Sequence, residues 1–490
     1  MDASAKIGDI QTEDARSFKE VKETPLYAER VKIYPKAVTG LFRQIKWAAL
    51  ILLLGLYYVV PWIRWDRGPS APDQAVLVDM PGRRLYFFFI EIWPQEIYYL
   101  TFILMAAAFG LFLATSIGGR VWCGFTCPQT VWTDLFMWVE RKIQGDRAAR
   151  IRLDRQPWHA EKLWKKATTH AAWVLIAAAT GGAWIMYFND APTVSYEILT
   201  GQASLAVYFF FGLFTFTTYL LAGWAREQVC TYMCPWPRIQ AALLDQDSYV
   251  VTYEKWRGEP RGPHKKGTSW EGRGDCVTCN QCVAVCPMGI DIRDGLQLEC
   301  IGCGLCIDAC NGVMERVGRP LDLITLDTER NQYNRMAEKP TESRLIRPRT
   351  IIYMIILGVL GIGVLLGLTE RASLDLNVLP DRNPLFVKLA DGSIRNGYTV
   401  KVLNRVREPR TYTLTLAGLE GATLSVLGLD EGDGRSASLA AKPDQVSTYR
   451  LFVSVPKQTI DDPVADLQVI LTDPDGGDIH SFDTIFRGPE

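Results

Sequence analysis

The sequence lacks a net charge: 53 Lys and Arg against 54 Asp and Glu leave −1 over 490 residues. No global field therefore points to nucleic acid. Cysteine is missing beyond Cys310, so all 12 lie in the first two thirds of the chain. No Rossmann glycine fingerprint is evident in the polar segments, which argues against a built-in nicotinamide or flavin site. No cleavable leader is expected. The first apolar run follows 44 polar, basic residues and is not followed by a small-residue cleavage site. A disulfide framework is a poor account of the cysteines, because their spacing suits metal and the chain is not a small secreted one.

Eight cysteines repeat one pattern at an offset of 24 residues. Cys276, Cys279, Cys282 and Cys286 read C-x2-C-x2-C-x3-C, and Cys300, Cys303, Cys306 and Cys310 read the same. This is the spacing of two-cluster bacterial ferredoxins, in which the fourth cysteine of each run serves the other cluster. It predicts one [4Fe–4S] cluster on Cys276, Cys279, Cys282 and Cys310, and a second on Cys300, Cys303, Cys306 and Cys286. Such a pair moves single electrons. Pro287 follows the first run as the pattern expects, while Asn311 stands in the equivalent place after the second. That departure is expected to alter the turn and not the ligation. Asp275, Asp291 and Glu299 lie close by and are expected to lower a cluster potential.

Five runs are apolar and long enough to cross a bilayer core of roughly 30 Å. They are about Ile45–Trp62, Gln95–Ile117, Thr168–Phe188, Ala203–Trp224 and Thr350–Leu368. The stretch Leu85–Trp93 is apolar but short, and is expected to lie in the interface or to re-enter. Basic residues set the orientation. Eight precede the first run (Lys6, Arg16, Lys19, Lys22, Arg30, Lys32, Lys36 and Arg43), ten lie from Arg120 to Lys166, and none falls in Asn189–Gln202. The rule places the N-terminus and every cysteine in the cytoplasm and the C-terminus outside. The ten basic residues are read as topology determinants. Four arginines in the first outer loop (Arg64, Arg67, Arg83 and Arg84) run against the rule.

The remaining cysteines form two C-x3-C-P pairs, Cys123/Cys127 and Cys230/Cys234, offset by 107 residues. Each begins about six residues past the cytoplasmic end of a membrane run. In a helix, positions i and i+4 share a face, and the following proline breaks the helix. Brought together, the pairs make a soft four-sulfur site suited to Cu(I), zinc or Fe–S iron. Met233 could add a thioether and His170 could assist. The competing reading is buried structural thiols, and for His170 an interfacial or capping group.

After Leu368 short alternating strands are separated by Gly, Pro, Asp and Asn, with turns at Asp391-Gly392, Asp430–Gly434 and Asp473–Gly477. About seven strands in roughly 115 residues point to an immunoglobulin-like sandwich. The expected fold is thus a multi-domain membrane protein: a bundle of about five transmembrane helices, a dicluster ferredoxin-like insert and a C-terminal all-β sandwich. Its expected parts are a cytoplasmic segment (1–44), a four-helix membrane domain carrying both C-x3-C-P motifs (45–248), a cytoplasmic segment with the ferredoxin core near 270–320 (249–349), a fifth transmembrane helix (350–368) and a periplasmic sandwich (369–490).

This arrangement resembles the cytochrome c oxidase accessory proteins of the FixG, RdxA and CcoG type. The resemblance rests on the two C-x3-C-P motifs, the dicluster insert before the last span, the segment Tyr253–Gly262 (YEKWRGEPRG) and the closing strand through Phe482–Pro489. It implies a bacterial inner-membrane protein that reduces Cu(II) to Cu(I) for maturation of cbb3-type oxidases. Its partners would be the bilayer, the oxidase assembly machinery, copper-handling proteins and an electron donor that the sequence does not name. By that resemblance the eight ferredoxin cysteines carry two [4Fe–4S] clusters, and Cys123, Cys127, Cys230 and Cys234 face copper. Two other readings compete: a quinol-linked subunit feeding a respiratory reductase, and a non-enzymatic assembly scaffold.

Overall fold

Each apolar run forms one long helix, because a backbone facing lipid must satisfy its own hydrogen bonds. The computed structural model describes residues 32–489 except 70, 266, 371–373, 406–407, 430–433, 444, 460–461 and 474–478. The basic residues before Lys32 and the turn positions 430–433 and 474–477 lie outside the described residues.

The first helix, α1 (Leu41–Val59), leads to the far end of the bundle, where β1 (Val76–Asp79), β2 (Arg84–Phe87) and β3 (Ile90–Ile92) form an antiparallel meander. Leu85–Trp93 thus forms strands of a small sheet and does not span, as its shortness led one to expect. Three of the four arginines that opposed the charge rule tie this cap together. Arg67 is buried and donates to the carbonyls of Pro72, Gln74, Ala75 and Phe88. Arg64 bridges Asp73 and Asp190, and Arg84 pairs with Glu91.

The chain returns through α2 (Tyr98–Gly118) and continues through α3 (Pro128–Gln144) and α4 (Arg147–Arg155). It crosses again through α5 (Ala160–Met186), turns through α6 (Ala191–Thr200), and returns through α7 (Leu205–Thr218), which a wide helical turn extends to Ala225. After α8 (Trp236–Leu243) come β4 (Tyr249–Tyr253), α9 (Lys255–Gly258), α10 (Gln281–Val285), α11 (Leu305–Val317), β5 (Ile324–Thr328) and α12 (Glu329–Met336). Strands β4 and β5 pair antiparallel and close the ferredoxin-like insert. The last span is α13 (Pro348–Thr369). The five apolar helices match the five expected runs, though α5 begins eight residues earlier than Thr168.

The C-terminal part is a sandwich of β6 (Leu374–Pro380), β7 (Val387–Lys388), β8 (Ile394–Asn404), β9 (Arg410–Ala417), β10 (Thr423–Val426), β11 (Ser436–Ala441), β12 (Gln445–Val455), β13 (Val464–Thr472) and β14 (Ile479–Arg487). One sheet runs β10-β12-β8-β6 with β7 on β8, and the other runs β11-β9-β13-β14. Alternate residues such as Val400, Val402, Leu414, Val453 and Val469 are fully buried between them, as strand alternation requires. These are nine strands among the described residues, where about seven were expected; β7 and β10 are too short to stand out by periodicity.

Where the bundle meets the insert, charge is buried. Asp134 on α3 takes both oxygens to Arg43 Nη1 at 2.8 Å, with Lys46 Nζ 4.0 Å away. Burial alone would push the Asp134 carboxyl up, but Lys46 and Arg43 outweigh it and hold it low. Glu140 likewise sits between Arg150 (3.1 Å) and Arg226 (3.0 Å). Some of the ten basic residues read as topology signals are thus interior ties. Asp134→Ala strands two buried cations, and should cost about 3–5 kcal/mol. Thermal unfolding in detergent would show this as a clear drop; an unchanged transition would refute the ion-pair account.

Candidate iron–sulfur and thiol site

The two ferredoxin runs fold as a repeat. Each C-x2-C loop bends back through left-handed backbone before a helix starts: Thr278 (φ 54°) and Asn280 (φ 54°) ahead of α10, Gly302 (φ 69°) and Gly304 (φ 70°) ahead of α11. Glycine suits that conformation in the second run, asparagine tolerates it, and threonine holds it under strain. The bend turns backbone N–H groups toward sulfur; Gly302 N donates to Cys300 Sγ at 3.4 Å. Pro287 follows Cys286 where α10 has ended. Asn311 lies inside α11, which runs on to Val317. A proline there would remove a helix hydrogen bond. Asn311 instead exchanges two hydrogen bonds with Asp322, at 3.0 and 2.8 Å. The departure therefore prolongs a helix, where a changed turn was expected.

The sulfurs gather as two crossed sets. Cys310 lies within electrostatic reach of Cys276, Cys279 and Cys282. Cys286 reaches Cys300 and Cys303, and Cys306 reaches those three and also Cys282. Burial pushes the Cys310 and Cys286 thiols up to about 12, and the neighbouring sulfurs add to it. Thiols so raised stay protonated unless a cation compensates them, which is what an iron–sulfur group does. The donor set therefore fits two such groups. Of the first set Cys279 is exposed, whereas Cys303 of the second is buried.

The acidic residues expected to lower a potential are largely neutralised. Asp291 is clasped by Arg293, and Asp275 lies between Arg257 and Arg319. Glu299 is within electrostatic reach of Arg120.

The C-x3-C-P segments are also a structural repeat. In both, the cysteine before proline closes a five-residue wide turn: Cys127 N donates to Trp122 O and Cys234 N to Val229 O, each at 2.8 Å. These π-type turns replace the α-turn that would place i and i+4 on one face; such bulges recur at functional sites. Residues ahead of each turn match as well, Gly119 at φ 61° and Arg226 at φ 47°. The fold brings the pairs together. Cys123 is within electrostatic reach of Cys127, Cys230 and Cys234, and Cys230 within reach of Cys127 and Cys234. Burial pushes both Cys123 and Cys230 up to about 12. The Cys123 thiol donates to Gln240 Oε1 on α8 at 3.1 Å, so the second repeat holds a cysteine of the first. Cys234 and Met233 are exposed. His170 and the Tyr219 hydroxyl form a hydrogen bond of 2.9 Å, and no cysteine borders the pocket His170 lines. Among the described residues no three His, Cys, Asp or Glu side chains converge as tightly as one metal ion requires.

The turn around Cys123 presses on the second ferredoxin loop. A methyl at Gly124 would lie 3.0 Å from the carbonyl oxygens of Ile301 and Gly302 and 3.1 Å from Cys303 Cα. Two cations sit at this junction. Lys46 Nζ donates to Gly124 O at 3.0 Å. Arg120, 5% exposed, donates to the carbonyls of Gln297, Leu298 and Cys300. Sequence reasoning passed over Arg120 as one of ten topology residues. The available signal was a break in the 107-residue repeat, which puts Glu227 at the matching place.

Comparison with known proteins agrees with this organisation. Profiles described as "4Fe-4S binding domain" and "4Fe-4S dicluster domain" match residues 100–145 and 225–329, and one described as "IG-like fold at C-terminal of FixG" matches 364–489. The nitrogen fixation protein FixG of Rhizobium meliloti is 50% identical, covering 95% of this chain and 94% of its own. Protein RdxA of Cereibacter sphaeroides is 47% identical over 95% of this chain and 99% of its own. The ferredoxin-type protein NapH of Haemophilus influenzae is 25% identical over 42% of this chain and 64% of its own. The resemblance drawn from the motifs is borne out: the chain belongs to the FixG/RdxA family of membrane-bound iron–sulfur proteins with a redox role.

Proposed function

We propose that this protein delivers single electrons through its ferredoxin-like insert to the thiols at the membrane edge, where Cu(II) is reduced to Cu(I) for maturation of a cbb3-type oxidase. The observation that carries this reading is the contact of the Cys123 turn with the Cys303 loop, which brings the C-x3-C-P thiols up against one of the two ferredoxin loops. Cys276, Cys279, Cys282 and Cys310 would hold one cluster, and Cys300, Cys303, Cys306 and Cys286 the other. When bound, these clusters supply one-electron carriers. The exposed Cys279 marks the entry end, facing an electron donor, and the buried Cys303 the exit end. Cys123, Cys127, Cys230 and Cys234 take copper as substrate, with exposed Met233 as an accessory ligand. Thiolates favour Cu(I) over Cu(II), so the site holds the product of a one-electron gain. Two thiolates suffice for Cu(I), which accords with pairs that do not converge four-fold. His170, already bonded to Tyr219, is the weakest of the proposed ligands. By the distribution of basic residues the insert and thiols face the cytoplasm of a bacterial inner membrane and the sandwich faces outward.

Anaerobic mixing of the reduced protein with Cu(II) tests this reading. About two Cu(I) per chain should form as two clusters are oxidised, and Cys123→Ser with Cys230→Ser should abolish formation while iron content holds. If Cu(II) leaves the clusters reduced, and quinol instead reduces them, the quinol-linked reading replaces this one.

Gly124→Ala must displace backbone of the Cys303 loop. It should keep the iron but slow Cu(I) formation by roughly tenfold or more, as small displacements do at reacting centres. An unaltered rate in stopped-flow mixing would sever this contact from function.

Copper capture should also depend on pH. The raised Cys123 and Cys230 thiols must lose protons to bind metal. Cu(I) affinity, measured by competition with a chelator, should rise with pH across the neutral range; a flat profile would exclude thiol ligation.

A further inference from the structure

Arg120 and Lys46 are both buried, at 5% exposure each, and each hydrogen-bonds one cysteine segment while lying within electrostatic reach of the other. Arg120 lies within electrostatic reach of Cys300 on one side and Cys123 on the other. Lys46 bonds the carbonyl of Gly124, between Cys123 and Cys127, and lies within electrostatic reach of Cys303. Arg120 forms no ion pair among the described residues. Its hydrogen bonds go to three carbonyls, and its Nε has no partner. A buried guanidinium without a carboxylate is costly, so its compensating charge has to come from another group in the site.

The surroundings of the two cysteine sets differ in charge. At the first set, Arg293 reaches Cys282 and is matched by Asp291, which clasps it, while Arg257 and Arg319 share Asp275 and leave one excess positive charge on side chains 19% and 33% exposed, where water and salt screen it. At the second set, Lys46 shares Asp134 with Arg43, leaving that trio with one excess positive charge. Arg120 adds another, offset only by Glu299 at longer range. An excess of positive charge stabilises the more reduced, more negative state of a cluster and so raises its potential.

We propose that Arg120 and Lys46 form a cationic bridge that raises the potential of the cluster on Cys300, Cys303, Cys306 and Cys286 above that of its neighbour, directing electrons toward the membrane-edge thiols. Both are positioning residues: they ligate nothing and act through field alone. The proposal rests on the cluster assignments above and is independent of copper.

An EPR-monitored redox titration of the full-length protein, anaerobic and without copper, tests it. Cys303→Ser and Cys279→Ser identify which signal belongs to which cluster. In Arg120→Gln the midpoint of the Cys303 cluster should fall by at least tenfold in its one-electron equilibrium, about 59 mV, while the Cys279 cluster stays in place. Arg120→Lys should restore most of the shift, because charge and not the carbonyl contacts carries the effect. Lys46→Met should lower the same midpoint, and decides the matter if Arg120→Gln fails to retain iron. Unmoved midpoints in the iron-containing variants, or equal shifts of both clusters, would overturn the bridge. Failure of Cu(II) reduction with these shifts intact would sink the copper reading and leave the bridge standing.

Discussion

The constraint on which this molecule turns is a close approach of backbone to backbone. The turn carrying Cys123 meets the loop carrying Cys303 with only hydrogen on Gly124 between them. A side chain there would hold the ferredoxin-like insert off the membrane bundle. The insert is also fixed at its flanks. Asp308 on α11 accepts from the backbone of Phe42 and Arg43 at the start of α1. Arg347, ahead of α13, donates to Ser116 O at the end of α2 and pairs with Asp245. The spans therefore position the redox insert as well as anchoring it.

That junction lies at the edge of an apolar medium, where buried charge is expensive unless matched. Asp134 and Glu140 each gather two cations. Arg120 stands outside this pairing, among carbonyls and sulfurs. The junction thus combines paired charges that fix helices with one, on Arg120, that makes no ion pair among the described residues and lies between two sets of thiols. In the cap built on β1–β3, Arg67 instead donates to four backbone carbonyls, three before β1 and one, of Phe88, after β2.

Much of the architecture was legible in the residues. The five spans follow from apolar length, since no other structure closes its hydrogen bonds in lipid. The ferredoxin spacing is local, and it suggests the crossed sets from sequence alone. The sandwich follows from strand alternation, although β7, of two residues, and β10, of four, left too little pattern to count. The strands within Leu85–Trp93 were not legible, because a short apolar run gives no periodicity that identifies them. Asn311 was misjudged because nothing local says whether a helix ends at Cys310 or continues.

What the sequence determined by itself was the chemistry available: eight thiols in ferredoxin spacing, four more in matched pairs, and helices long enough to cross a membrane. These are short-range properties, set by residue type and by separations of a few positions. Tertiary structure alone decided that the two C-x3-C-P pairs lie within electrostatic reach of each other, that the Cys123 turn abuts the Cys303 loop, and that Arg120 and Lys46 lie at the junction. Those relations join residues 78 to 180 positions apart, as in Lys46 with Gly124 and Arg120 with Cys300. Local pattern carries no information about them, because helix packing and the burial of charge select them only once the chain has folded.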